Sequence, residues 1–209
     1  MQAVYLGLAI ILGGGLVLFG VGAGNGLGGL LNAFTGKGSS SNQTAAVSQQ
    51  QKAAIKATQV NPASAAAWAA LVQARYGTAR SSNAYVDPNT GQFTAAGKKE
   101  LTALGQDYQR YKNLVHQPDP NISILAARAY SALGDYANQA AAWEIETAAS
   151  PKEPKGFECL AASAYAAKQT RKGDLAAARA VSLSPKVSRL TVKQTLQQAK
   201  TNPAVARQC

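Results

Sequence analysis

The sequence is poor in the side chains that most often carry chemistry. Its 209 residues include one histidine, two cysteines and ten Asp plus Glu, against twenty-one Lys plus Arg. A single imidazole, His116, supplies poorly both a histidine metal site and a Ser-His-Asp triad. Near the end of a helical run its cationic form suits the helix dipole, which is a structural role. Cys159 and Cys209 have no CxxC around them, and two cysteines do not make a zinc site. They are expected as free thiols, with Cys209 in a mobile end. One disulfide in an oxidising compartment is the alternative. No GxGxxG follows a strand pattern, and neither GxxxxGK(S/T) nor GxSxG occurs. Glu144, Glu146, Glu153 and Glu158 spread over helix faces and a turn instead of pairing. The stretch "DPNTGQ" opens like a calcium loop at Asp87 and Asn89. Gly91 comes too early for one, however, and Lys98 stands where a bidentate Glu is required. These absences give the expectation of a protein that is not an enzyme and holds no cofactor or metal.

Aromatic residues are few and β-branched runs scarce, which argues against a sheet core. Alanine dominates the apolar share instead. It has the best helix propensity and lets helices approach closely, so the expected class is all-α. One long apolar run stands out, "VYLGLAIILGGGLVLFGVGAG". Residues 4–23 are uncharged, and a helix of that length spans about 30 Å of hydrocarbon. A cleaved signal peptide fits less well, because the start carries no Lys or Arg, the apolar core is too long and no A-x-A-like site follows. Residues 1–23 are therefore read as a single-pass transmembrane anchor. Only Lys37 lies close enough to orient the span, a weak signal; the remainder of the chain is assigned to the extracytoplasmic side. Residues 24–51 are rich in Gly, Ser and Gln and read as a flexible linker.

From Gln51 onward, amphipathic helical runs alternate with Gly, Asp and Pro. Pro151 and Pro185 stand thirty-four residues apart and similar residues precede each. Tyr130, "LGDY" at 133–136 and Trp143 precede the first; Phe157, Leu160, Ala161, Tyr165, Ala180 and Leu183 precede the second. Gly134 is expected to take a left-handed turn and Asp135 to cap the helix that follows. Tyr136 and Trp143 share one face of that helix, and Pro151 stops it. An earlier copy starts at "NPASAAAWAALVQARYG", with Trp68, Leu71, Ala74 and Tyr76 on one helical face. It is enlarged by a loop around residues 77–93. Its second helix then runs from about Thr94 to His116, with Leu101, Leu104, Tyr108, Tyr111 and Val115 inward. "SRLTVKQTLQQAKTNP" within 188–209 reads as a capping helix and tail.

These residues resemble the tetratricopeptide repeat, a helix–turn–helix unit of thirty-four residues. The resemblance covers residues 62–186 and implies an α-solenoid of three hairpins within 52–187. Gln139, Glu146 and Gly173 depart from the family pattern, each standing where a small residue or a helix former is usual. The resemblance also implies a concave groove lined by the first helix of each hairpin. By position this assigns Gln73 and Tyr76, then Ile124 and Arg128, then Lys155, Glu158 and Tyr165 to a partner-binding face. A clamp for a terminal carboxylate is not implied, because Lys155 alone agrees with that pattern while Ala69, Gln73, Leu125 and Cys159 do not.

The net charge of +11 is concentrated late. From Lys155 onward ten Lys and Arg face only Glu158 and Asp174. Such an end suits anionic lipid, acidic polymer or an acidic partner segment. Nucleic acid is disfavoured, since no aromatic interleaving accompanies the charge. The function expected is partner binding through the groove of a membrane-anchored repeat protein. The alternatives are a basic envelope-surface domain that binds anionic lipid or polymer, and an accessory subunit docked through its transmembrane helix.

Overall fold

The computed structural model describes residues 40–209, of which Thr44–Cys209 form one compact unit. Among the described residues all regular structure is helical, apart from a lone antiparallel bridge between Val86 and Phe93. The helices are α1 (Ser40–Val60), α2 (Ala65–Thr78), α3 (Ala95–Asn113), α4 (Pro120–Leu133), α5 (Tyr136–Ala149), α6 (Pro154–Ala166), α7 (Thr170–Leu183) and α8 (Arg189–Ala199). Short 3-10 segments cover Lys186–Ser188 and Pro203–Gln208. No helix among the described residues is long and apolar enough to cross a membrane. The apolar run at 4–23 and its reading as an anchor lie outside them.

Local chemistry sets the hairpins. Asp119 caps α4 by accepting the Asn121 amide at 2.8 Å, and Pro120 occupies the first turn, where no amide donor is needed. Gly134 then ends α4 at φ 75°, a conformation that costs glycine nothing. Asp135 starts α5 by accepting the Asn138 amide at 3.2 Å. The next hairpin repeats this path thirty-four residues on. The amides of Gly134 and Lys168 donate to the carbonyls of Ser131 and Tyr165, and those of Asp135 and Gln169 to Tyr130 and Ala164. The starts of α4 and α6, Pro120 and Pro154, keep the same interval, as do the ends of α5 and α7, Ala149 and Leu183. Consecutive helices pack as neighbours from α2 to α7, with α4 also against α2, in a repeat-like arrangement.

The core is made of small residues and a few tyrosines. Ala126, Ala127, Ala129, Ala140, Ala161 and Ala164 are fully enclosed at helix contacts. Leu101, Leu104, Tyr108 and Tyr111 point inward from α3 as the periodicity requires. Tyr108 donates to Ser123 of α4 at 3.0 Å, and Tyr130 donates back to the Gly105 carbonyl at 3.1 Å. Each phenol thus buries its ring without stranding its hydroxyl.

Three expectations are corrected. The linker assigned to residues 24–51 ends earlier, since α1 is already helical from Ser40. Its Ala54 and Ile55 cover Leu71, Ala74 and Trp68 of α2, while Gln51 bonds both Glu100 and Thr78. The four residues placed on one face of α2 therefore divide. Leu71 and Ala74 turn to α1, whereas Tyr76 joins the main core. The third correction concerns the cysteines. Cys159 and Cys209 are bonded to each other, with Cα atoms 5.5 Å apart.

Candidate partner-binding face

α2, α4 and α6 are the first helices of the three hairpins, and the residues assigned to the groove divide on inspection. Gln73 and Tyr76 are half-buried on α2. Tyr76 accepts a hydrogen bond from Arg80 at 3.0 Å, and the Arg80 guanidinium lies 5.6 Å from its ring centre. Ile124 is half-buried and Arg128 exposed one turn further along α4. Arg128 makes no ion pair or hydrogen bond among the described residues, so its charge is available. On α6, Lys155 is exposed and sits 3.6 Å from Glu158, a solvent-screened pair that contributes little. Tyr165 does not belong to the face. It is 5% exposed, and its hydroxyl donates to Asp174 of α7 at 2.8 Å.

Tyr165 instead anchors the end of the repeat. Lys200, just past α8, pairs with Asp174 at 2.8 Å and lies 5.2 Å from the Tyr165 ring centre. Burial and the Asp174 carboxylate both push the phenol well above its ordinary pKa, so it stays protonated. The hydrogen bonds from Lys200 and Tyr165 hold Asp174 below the usual carboxylate range. The trio pins α8 to the last hairpin. In the first hairpin Arg75 of α2 bridges Glu100 and Asp107 of α3, and these carboxylates raise the guanidinium pKa despite burial. Asp87 accepts the amides of Asn89 and Thr90, so its carboxylate shapes its own turn. Among the described residues no three metal-capable side chains come together.

The departures from the repeat pattern acquire physical partners here. Gly173 lies under Tyr165, where a Cβ would come within 2.5 Å of the ring. Glu146, buried, faces Gly156 of α6, and a Cβ there would meet its carboxylate. Gln139, fully enclosed, donates from Nε2 to the Ala206 carbonyl at 2.8 Å. The Ser131 hydroxyl reaches the same carbonyl at 3.4 Å. Ser131 follows Ile124 and Arg128 at seven and three residues, hence on their side of α4.

Residues 202–209 thus form a strap held by Ser131 of α4, Gln139 and Tyr136 of α5 and Cys159 of α6. Asn202 caps its 3-10 turn, Val205 and Ala206 are buried, and Arg207 donates to the Tyr136 hydroxyl at 3.1 Å. Cys209 completes it through the bond to Cys159, which lies one turn beyond Lys155. The sequence reading missed this element. An even number of cysteines in a chain assigned outside the cytoplasm was the available signal. No family model, no curated protein and no solved structure matches the chain.

Proposed function

We propose that this protein is a membrane-anchored α-solenoid of tetratricopeptide type that receives a protein or peptide partner along the face of its first helices. The repeat domain lies on the extracytoplasmic side, and residues 4–23 hold it to the bilayer. The observation that carries the proposal is the strap. A short extended-to-3-10 segment lies across α4, α5 and α6, gripped through a main-chain carbonyl by Ser131 of α4 and Gln139 of α5. A face that takes one peptide in cis has the polar and apolar elements to take another. The Cys159–Cys209 bond supports an oxidising compartment. Arg128, exposed three residues before Ser131 on α4, would read an acidic or carbonyl-rich partner.

The test is a pull-down from native membranes. Arg128→Glu should reduce partner recovery at least tenfold while leaving the protein in the membrane. Deleting residues 1–36 should release the domain yet preserve recovery when partner and domain are mixed in detergent. If the deletion abolishes recovery and Arg128→Glu does not, the accessory-subunit reading replaces this one. Loss of all binding in high salt, with no effect of Arg128→Glu alone, would favour the polyanion reading.

A further inference from the structure

We infer that the strap is a redox-released occupant of the binding face: the Cys159–Cys209 disulfide holds residues 202–209 over α4, α5 and α6, and its reduction uncovers a site for a peptide of the same chemistry. This rests on the reading of the first helices as a binding face and adds a device that controls access to it.

Three features point to an exchangeable occupant. Val205 and Ala206 are the buried side chains of the strap, while Pro203, Ala204, Arg207 and Gln208 remain exposed. Eight residues ordered for so small an apolar contact make a weak ligand, which opens readily without a covalent bond. The disulfide supplies that bond by keeping the strap at high effective concentration beside its seat. Second, Gln139 is half satisfied. Its Nε2 donates to the Ala206 carbonyl, but its buried Oε1 has no partner. A peptide that offers an amide N–H beside its carbonyl would satisfy both ends, so the strap is not the best ligand for this seat. Third, the two sulfurs differ in access. Cys159 is fully enclosed, whereas Cys209 is half-buried.

The release step follows from that difference. A thiolate of a dithiol reductant attacks the Cys209 Sγ, the protein S–S bond breaks, and Cys159 leaves as a thiolate that takes a proton. The second thiol of the reductant then displaces Cys209 and closes the reductant's own disulfide. Two electrons and two protons pass to the protein, which ends with two thiols. The uncovered seat, bounded by Ser131, Gln139, Tyr136 and Cys159, offers two donors for one main-chain carbonyl. Its ligand class is a peptide with two adjacent small aliphatic side chains and a basic or polar residue after them.

The experiment uses the full-length protein in detergent, oxidised, reduced with dithiothreitol, and as Cys209→Ser. Hydrogen exchange is followed in residues 202–209, and a fluorescent peptide of sequence TNPAVARQ is titrated. The expected result is slow strap exchange and no peptide binding in the oxidised protein. Reduction or Cys209→Ser should speed strap exchange at least tenfold and allow saturable peptide binding, with helicity unchanged. In the Cys209→Ser background Gln139→Leu should abolish that binding. Equal strap exchange in the oxidised and reduced forms, a freed strap with no peptide binding, or loss of helicity on reduction would each overturn the inference. None of these readouts involves the natural partner. A latch that opens while Arg128→Glu leaves partner recovery intact therefore sinks only the groove reading, and a failed latch with an Arg128-sensitive partner sinks only this one.

Discussion

At the scale of single residues, the two late hairpins perform one experiment twice with different side chains. Gly134 and Lys168 occupy equivalent turn positions at φ 75° and 62° and make the same amide contacts. A left-handed conformation costs a residue with a Cβ about 1–2 kcal/mol, part of which glycine returns through its freedom in the unfolded chain. Lys168→Gly should therefore stabilise the protein by about 0.5–1 kcal/mol, and Gly134→Ala should destabilise it by about 1 kcal/mol. Urea denaturation of both variants checks the pair of opposite signs. Gly173 is governed by packing instead. Alanine is favoured over glycine inside a helix by about 1 kcal/mol, but the Tyr165 ring stands 2.5 Å from the added carbon. That ring is held by Asp174 and Lys200 and has little room to move. Overpacking wins, so Gly173→Ala should cost about 1–2 kcal/mol net. Repeating the substitution in Tyr165→Leu should abolish the loss.

Elements were legible where a residue type determines backbone shape. Gly134, Asp135 and Pro151 mark the α4–α5 hairpin because positive φ, capping and the restriction before proline act locally. Lys168 hid the equivalent turn, since nothing in a lysine announces a positive φ. The α1 helix was illegible for a different reason. "SSNQTAAVSQQQ" has weak local preference, and its helix is held from outside, where Gln51, Ala54 and Ile55 meet α2 and α3. Glu146 belongs to this scale too, because its environment exists only once α5 and α6 meet. Burial, then the nearby Glu153 charge, raises its pKa above the ordinary carboxylate value, against a Ser150 hydrogen bond that lowers it. Its Oε2 has no partner. The folded state then binds its proton more tightly than the unfolded chain does. This contribution to stability is complete below the unfolded pKa of about 4.3 and is lost as pH rises through the folded value. Glu146→Gln keeps the shape and removes the ionisation. The variant should be more stable than the parent at pH 7.5, with the difference shrinking towards pH 4; denaturation midpoints at both pH values test it.

On the scale of the whole molecule, the disulfide decides how the last third is held. The expectation of a mobile end failed because mobility was judged from position in the chain. The strap is fixed instead by Cys159, fifty residues earlier, and by donors on two helices. No local pattern in "NPAVARQC" encodes such partners, and they become adjacent only after α4, α5 and α6 stack. In the same way the resemblance assigned Ile124 and Arg128 to one side of α4 without indicating that Ser131, on that side, would hold a strap. Linking two residues fifty apart removes unfolded-chain entropy worth about 4 kcal/mol in the loop-closure account. For a domain of this size each kcal/mol moves the thermal midpoint by about 2–4 °C. Reduction should therefore lower the midpoint by about 10 °C. Gly97 offers an independent reference, since a Cβ there would collide with the Tyr85 carbonyl in the first hairpin, outside the closed loop. Gly97→Ala should lower the midpoint by itself, and the further drop on reduction should equal that of the parent, as distant sites add. Calorimetry of both proteins with and without dithiothreitol provides the comparison. A midpoint indifferent to reductant in the parent would mean that the two sulfurs are apart in solution. A drop that grows in Gly97→Ala would mean that the strap steadies the entire stack and not its last third alone.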